Sequence, residues 1–235
     1  MALPPQNSDA FVREVDEELR RDQIFSFWRR WGRLVFVAVL VGLAALAAWL
    51  FWQDRQARAA GAEAEKLTAA IEQLSASRFD EARPTLTALA ASDRDGYRAA
   101  GRLALGAVAM QNGDLKAAAA RFGEVANDTR LSDPLRHLAL VRQTAAEFDQ
   151  LPPDTVVQRL QPIAQKGSPW FGSAGEMVAA AHLKAGRRAD AAAVFAAIAA
   201  DPGVPQSIRS RAVQIAGVLG VDASVSASPS QSSAR

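Results

Sequence analysis

The hydrophobic pattern changes character along this chain, and each change marks a different kind of helix. From Asp9 to about Asp22 (DAFVREVDEELRRD), the apolar residues Phe11, Val12, Val15 and Leu19 recur at helical spacing with charges between them. That predicts a short amphipathic helix, which Ser8 or Asp9 could cap. Ile24, Phe27, Trp28 and Trp31 form a second stripe at i, i+3, i+4 and i+7. The five-residue step from Leu19 to Ile24 turns this stripe from the first by about 140°. Leu34 to Trp52, LVFVAVLVGLAALAAWLFW, then has no polar face, no charge and no proline. As a helix it would extend roughly 28 Å, close to the hydrocarbon thickness of a bilayer. A helix pairs its own backbone N–H and C=O groups, so such a segment can sit in lipid without orphaned polar atoms. A helix of a soluble domain would keep a polar stripe toward water. The expectation is a leader over 1–33 and one transmembrane helix over 34–52.

The flanks give that helix a direction. Phe27, Trp28 and Trp31 stand on one side, and Trp49, Phe51 and Trp52 on the other, where an indole keeps its ring apolar and its N–H wet. Arg20, Arg21, Arg29, Arg30 and Arg33 precede the span, against Arg55, Arg58 and Lys66 after it. That bias favours a cytoplasmic N-terminus. Trp28, Arg29, Arg30, Trp31, Arg33, Trp49 and Trp52 are therefore the membrane-interface candidates, with Arg29 and Arg30 reaching for lipid phosphates. Ala45-Leu46-Ala47 fits a cleavage site, but the apolar run continues past it and the leader carries six acids, so a signal anchor fits better than a cleaved signal peptide. Phe11, Val15 and Leu19 suit either a weak solvated helix or a docking helix for a cytoplasmic partner.

Beyond the span, Gln53 to about Ala70 reads as the same helix running out of the membrane, and a recurrence then begins. Leu86, Phe122, Leu160 and Phe195 are spaced by 36, 38 and 35 residues. Four positions earlier stand Ala82, Ala118, Val156 and Ala191; three later stand Leu89, Val125, Ile163 and Ile198. Gly113 and Gly186 lie nine residues before the two phenylalanines, in the parallel phrases QNGDLKAAAARF and KAGRRADAAAVF. Two helices joined by a glycine turn fit each unit, with the small residue allowing close approach and the large one filling the gap between hairpins. One hairpin cannot bury both of its faces, so the units should stack into a solenoid. The predicted hairpins are near 63–91, 97–127, 134–166 and 170–200, with a capping helix from Gln206 to about Gly217. Pro84 is expected in the first turn of its helix and Pro162 inside its own, where it should kink it. The repeat domain spans 53–220, and the Ser-rich stretch 221–235 should be disordered.

Gly106, Gly113, Ala118 and Phe122, and again Gly186, Ala191, Phe195 and the trailing Pro202, resemble the turn and packing positions of tetratricopeptide repeats. The aromatic expected on the first helix is absent, being Ala109 in one unit and His182 in the other, and units one and three lack the turn glycine. Over residues 9 to about 218, the leader FVREVDEELRRDQ, the approach WRRWGR, one span and degenerate Ala-rich repeats resemble the YfgM family of Gram-negative inner-membrane proteins. That resemblance implies a periplasm-facing ancillary subunit of the SecYEG translocon, partnered with the membrane-anchored chaperone PpiD and handling exported polypeptides.

Composition narrows the remaining chemistry. From Gln53 to Gly220 there are 20 Lys/Arg against 18 Asp/Glu, so no basic face for nucleic acid stands out. With no cysteine, disulfides, thiolate catalysis and cysteine metal sites are excluded. His137 and His182 each stand alone, without a His or carboxylate at i+3 or i+4, and fit packing or surface roles better than metal binding. Phosphate-cradling motifs are absent, and Gly172-Ser173-Ala174-Gly175 reads as a loop or helix start. Trp170 and Phe171 fit core anchors of the fourth hairpin better than an exposed aromatic patch for partner contact. The expectation is an all-α, single-span, non-enzymatic protein-binding module without cofactor or metal, its groove lined by the first helix of each hairpin. A scaffold for another envelope machine, or a regulator working through the leader, are the rival readings.

Overall fold

The computed structural model describes residues 8–221, with side chains described from Trp31 onward. It is all helix: among the described residues there are nine helices and no strand. These are α1 (Ser8–Ser75), α2 (Phe79–Ala90), α3 (Asp95–Gln111), α4 (Leu115–Ala126), α5 (Asp133–Glu147), α6 (Pro153–Leu160), α7 (Phe171–Lys184), α8 (Arg188–Ala200) and α9 (Gln206–Val218). The chain forms two compact units that meet between Ala62 and Glu63, within α1.

In the first unit the backbone is helical from Ser8 onward, so the two leader stripes and the apolar run lie on one helix rather than on separate ones. From Arg33 to Trp52 every side chain is exposed. Among the described residues, Trp31–Ser75 is the one stretch containing a window long and apolar enough to cross a membrane, and that window is unburied by the rest of the protein.

The second unit is a stack of helical hairpins. Its first hairpin is the end of α1 with α2, followed by α3/α4, α5/α6 and α7/α8, and α9 packs on α8 and α7. The recurrent triads all lie in the core. Ala82, Ala118, Val156 and Ala191, then Leu86, Phe122, Leu160 and Phe195, then Leu89, Val125, Ile163 and Ile198 are buried without exception. A further column appears on the first helices, seven positions before each turn residue: Ala70, Gly106, Thr144 and Ala179, again all buried. Thr144 satisfies its hydroxyl by donating to the Leu140 carbonyl at 2.8 Å. Small residues here let the two helices of a hairpin close on one another. At Gly106 a Cβ would fall 2.7 Å from the Phe122 ring, so the glycine and the phenylalanine fit only together. Gly101 is tighter still: a Cβ there would stand 2.5 Å from the backbone nitrogen of Ala90, which no rotamer change can relieve.

Three turns share one geometry. Gly113 and Gly186 take φ +75° and +76°, and in each case the residue after the glycine donates its N–H to the carbonyl five positions back. Ser77 takes φ +59° in the same register with the same hydrogen-bond pattern, at the position where the first unit lacks glycine. An L-residue in this left-handed region costs roughly 1–2 kcal/mol, which the closed turn must offset. The third turn is built differently, around Leu151, Pro152 and Pro153, with no left-handed residue.

Both proline expectations are corrected. Pro84 is the sixth residue of α2 rather than part of its first turn, and it sits on the exposed face, so the N–H it lacks is missing on the solvent side of the helix. Pro162 does not kink a helix, because α6 ends at Leu160 and the expected continuation to 166 is a run of turns. Proline cannot supply the N–H that would have bonded the Gln158 carbonyl. The chain tightens instead, with the N–H groups of Ile163 and Ala164 both reaching the Leu160 carbonyl at 3.0 and 2.9 Å.

Candidate functional site

The first helices of three consecutive hairpins line an apolar groove. Its walls are Leu67 and Ile71 on α1 and Leu138 and Arg142 on α5; its floor is Ala100, Leu103, Ala104 and Ala107 on α3, with the Phe122 ring beneath. These positions recur at i, i+3, i+4 and i+7 on α3, the stripe opposite to the one that α3 buries against α2 and α4. The cavity holds about 350 Å³, room for a few side chains rather than a folded partner. Ile71 is 55% exposed, a large β-branched side chain offered to solvent at the groove edge. Arg142 is the one polar lining residue.

The corresponding register of the fourth hairpin is polar. Glu176 of α7 stands in the register that Leu67 and Leu103 occupy in their hairpins, ten positions before the turn residue. It accepts from Nε and Nη2 of Arg211 on α9, both at 2.6 Å. That bidentate contact raises the Arg211 pKa further, chiefly through the hydrogen bond to Glu176. It also fixes the capping helix against α7.

Ion pairs tie the hairpins together along their loops. Glu63 of α1 accepts from the Ser92 hydroxyl at 2.8 Å and from Arg94 at 3.2 Å, and the Ser92 hydrogen bond is the main cause that lowers its pKa. Arg98 is buried, pairs with Asp95, donates to the Ser92 carbonyl at 2.8 Å and lies 3.7 Å from Asp128. Asp128, only 9% exposed, accepts from Arg130 at 2.8 Å and 3.0 Å through the guanidinium and 3.1 Å through the backbone N–H. The Arg130 side-chain bond is the largest influence on it, and its pKa falls from 3.8 to about 2. This cluster joins α1, the α2–α3 loop and the α4–α5 loop.

The residues singled out in the sequence divide into three groups. Gly106, Gly113, Ala118, Phe122, Gly186, Ala191 and Phe195 sit at the hairpin turns and in the core. Phe171 is 5% exposed in the α7–α9 core, and Trp170 is half-buried against α6 and α7 with part of its ring open to solvent. Trp31, Arg33, Trp49 and Trp52 are exposed on the long helix, where Arg55 also lies 4.9 Å over the Phe51 ring. Phe11, Val15, Leu19, Trp28, Arg29 and Arg30 lie outside the residues whose side chains are described, as does the tail beyond Val221.

Sequence reasoning missed Gly101, Ser77 and the groove residues themselves. Alanine on a floor and alanine in a core look alike in the chain. The signal that could have found Ser77 is its place nine residues before Leu86, the offset of both turn glycines from their phenylalanines.

Among the described residues no three His, Cys, Asp or Glu side chains gather in a way that could hold a metal. His182 accepts from Arg187 Nε at 2.9 Å through Nδ1, and Arg187 in turn reaches Asp154 at 2.7 Å, so this histidine joins α6, α7 and α8 as a structural link. No curated protein and no solved structure matches the chain. The model of the Tetratricopeptide repeat-like domain matches residues 26–215, from the approach to the apolar run through most of α9. Domains of this kind are as a rule protein-interaction modules rather than enzymes, and with this match and this stack of hairpins the chain belongs to the tetratricopeptide repeat-like domain family.

Proposed function

We propose that this protein is a single-span membrane protein whose repeat domain (53–220) binds other polypeptides close to the membrane surface. The observation that carries this reading is the apolar groove along α1, α3 and α5, an open face lined by Leu67, Ile71, Leu103 and Leu138. The exposed run 34–52 supports the anchor, since burying that many apolar side chains in lipid relieves contact with water. Trp28, Arg29, Arg30, Trp31, Arg33, Trp49 and Trp52 would hold the helix at the two interfaces, with the N-terminus cytoplasmic. Tethering raises the local concentration of the groove without any added contact.

The finer reading follows the likeness to the YfgM family. In it the domain faces the periplasm beside the SecYEG translocon, works with a PpiD-like chaperone, and receives exported polypeptides in the groove. Purification of the full chain from gently solubilised inner membranes tests this, with SecYEG and PpiD-like subunits expected to be enriched. Their absence, with other envelope components retained instead, would sink the translocon assignment and leave the binding module.

A further inference from the structure

We infer that the occupant of this groove is an amphipathic α-helix that lies along α3 between α1 and α5 and sets a carboxylate against Arg142. The inference rests on the groove being a polypeptide-binding face and adds what kind of polypeptide fits it.

Direction comes first. Leu67 and Ile71 stand one helical turn apart on α1, Leu138 and Arg142 one turn apart on α5, and Ala100, Ala104 and Ala107 follow one another along α3. Tight hairpins run α1, α3 and α5 in the same sense, so the groove is long parallel to their axes. Its floor runs over about 10 Å of α3 at 1.5 Å per residue, three alanine methyl groups with the Leu103 side chain among them. Helices pack at about 8–10 Å depending on the side chains between them, and a floor of three alanines and one leucine admits that packing.

Backbone chemistry then selects the occupant's conformation. An extended peptide would press its N–H and C=O groups against a lining in which Arg142 alone can donate and nothing accepts through a side chain. A helix brings its own hydrogen bonds and needs none from the walls. Charge sets the last feature. Arg98, Arg102, Arg121, Arg130, Arg136, Arg159, Arg187 and Arg211 all pair with carboxylates within the second unit. Arg142, Arg188 and Arg209 have no carboxylate partner among the described residues, and of these three Arg142 is the one exposed at the groove wall. A carboxylate beside the occupant's apolar stripe complements it, and a cation there is repelled.

The test uses the full chain in phosphatidylcholine nanodiscs and fluorescent synthetic peptides, with empty nanodiscs as the control for lipid binding. The reference peptide is helical, with leucines at i, i+4 and i+7 and one glutamate at the edge of that stripe. It should bind about tenfold more tightly than its glutamate-to-lysine twin. A version with a central proline should lose binding. Arg142→Glu should reverse the preference, and Ala107→Trp, which fills the floor from an exposed position, should remove binding of both helical peptides. Ile71→Glu is the second blocking variant, and unchanged thermal melting separates blockage from misfolding. Equal binding of the glutamate and lysine peptides, or of the proline peptide, would overturn the helix-and-carboxylate inference while leaving the groove reading intact. Binding to empty nanodiscs alone overturns it too. No peptide binding, together with no polypeptide captured by a crosslinker at position 107, would overturn both.

Discussion

Hairpins α3/α4 and α5/α6 bury the same columns of residues with different local chemistry. The former has a left-handed Gly113, a twelve-residue second helix and a phenylalanine at the centre. The latter turns through Pro152 and Pro153 and stops its second helix after eight residues, before Pro162. Yet Ala118, Phe122 and Val125 in one, and Val156, Leu160 and Ile163 in the other, are equally buried. Ile163 reaches the core from beyond the end of its helix. The repeat is therefore defined by which positions are buried, and the turn and helix length around them are free to vary.

The largest effect that sharpens this contrast should come from the buried column. Phe122→Ala should cost about 3–5 kcal/mol and Leu160→Ala about 2–5 kcal/mol in chemical denaturation, whereas Pro162→Ala should stay within about 0.5 kcal/mol of wild type. A large loss at Pro162 would mean that the short helix depends on its stop signal. Gly101→Ala should also destabilise substantially, because the added carbon would meet the Ala90 backbone at 2.5 Å.

Turn chemistry comes next in size. Gly113→Ala should cost about 1–2 kcal/mol, because alanine is forced to φ +75°. Ser77→Gly should stabilise by about 0.5–1 kcal/mol, since glycine takes the left-handed angle without strain. Thermal melts of both variants check the pair, and opposite signs are the expected outcome.

The smallest effect is electrostatic. The folded pKa of Asp128 lies below its unfolded value, so its contribution to stability is complete above about pH 4 and fades as pH falls through about 2. Asp128→Asn should therefore differ from wild type at pH 5, and the gap should shrink steadily as pH falls toward 2, read from unfolding midpoints. A gap that stays constant across that range would remove the Arg130 pairing from the account.

Much of this architecture can be read from the chain because burial repeats. Leu86, Phe122, Leu160 and Phe195 stand at near-constant spacing, and the charge-free run from Leu34 to Trp52 needs no partner to be noticed. What stays hidden depends on neighbours distant in sequence or on angles that residue type does not report. Serine at 77 marks its left-handed turn by position and not by residue type, and Gly101 is explained only by the α2 backbone from Leu86 to Ala90. Phe171 owes its burial to α8 and α9, and Trp170 packs instead against α6 and α7, a difference that two adjacent aromatics do not announce. The groove was the least legible feature, because Ala100, Ala104 and Ala107 differ from the buried alanines of α4 and α8 only in what lies above them.

A photoactivatable residue at Ala107, in the full chain within living membranes, tests the central claim most directly, with the same probe at the exposed Ala193 of α8 as its counterpart. Polypeptide adducts at 107 and none at 193 are predicted. Adducts at 193 with none at 107 would show that the binding face lies on the second helices and would contradict the account.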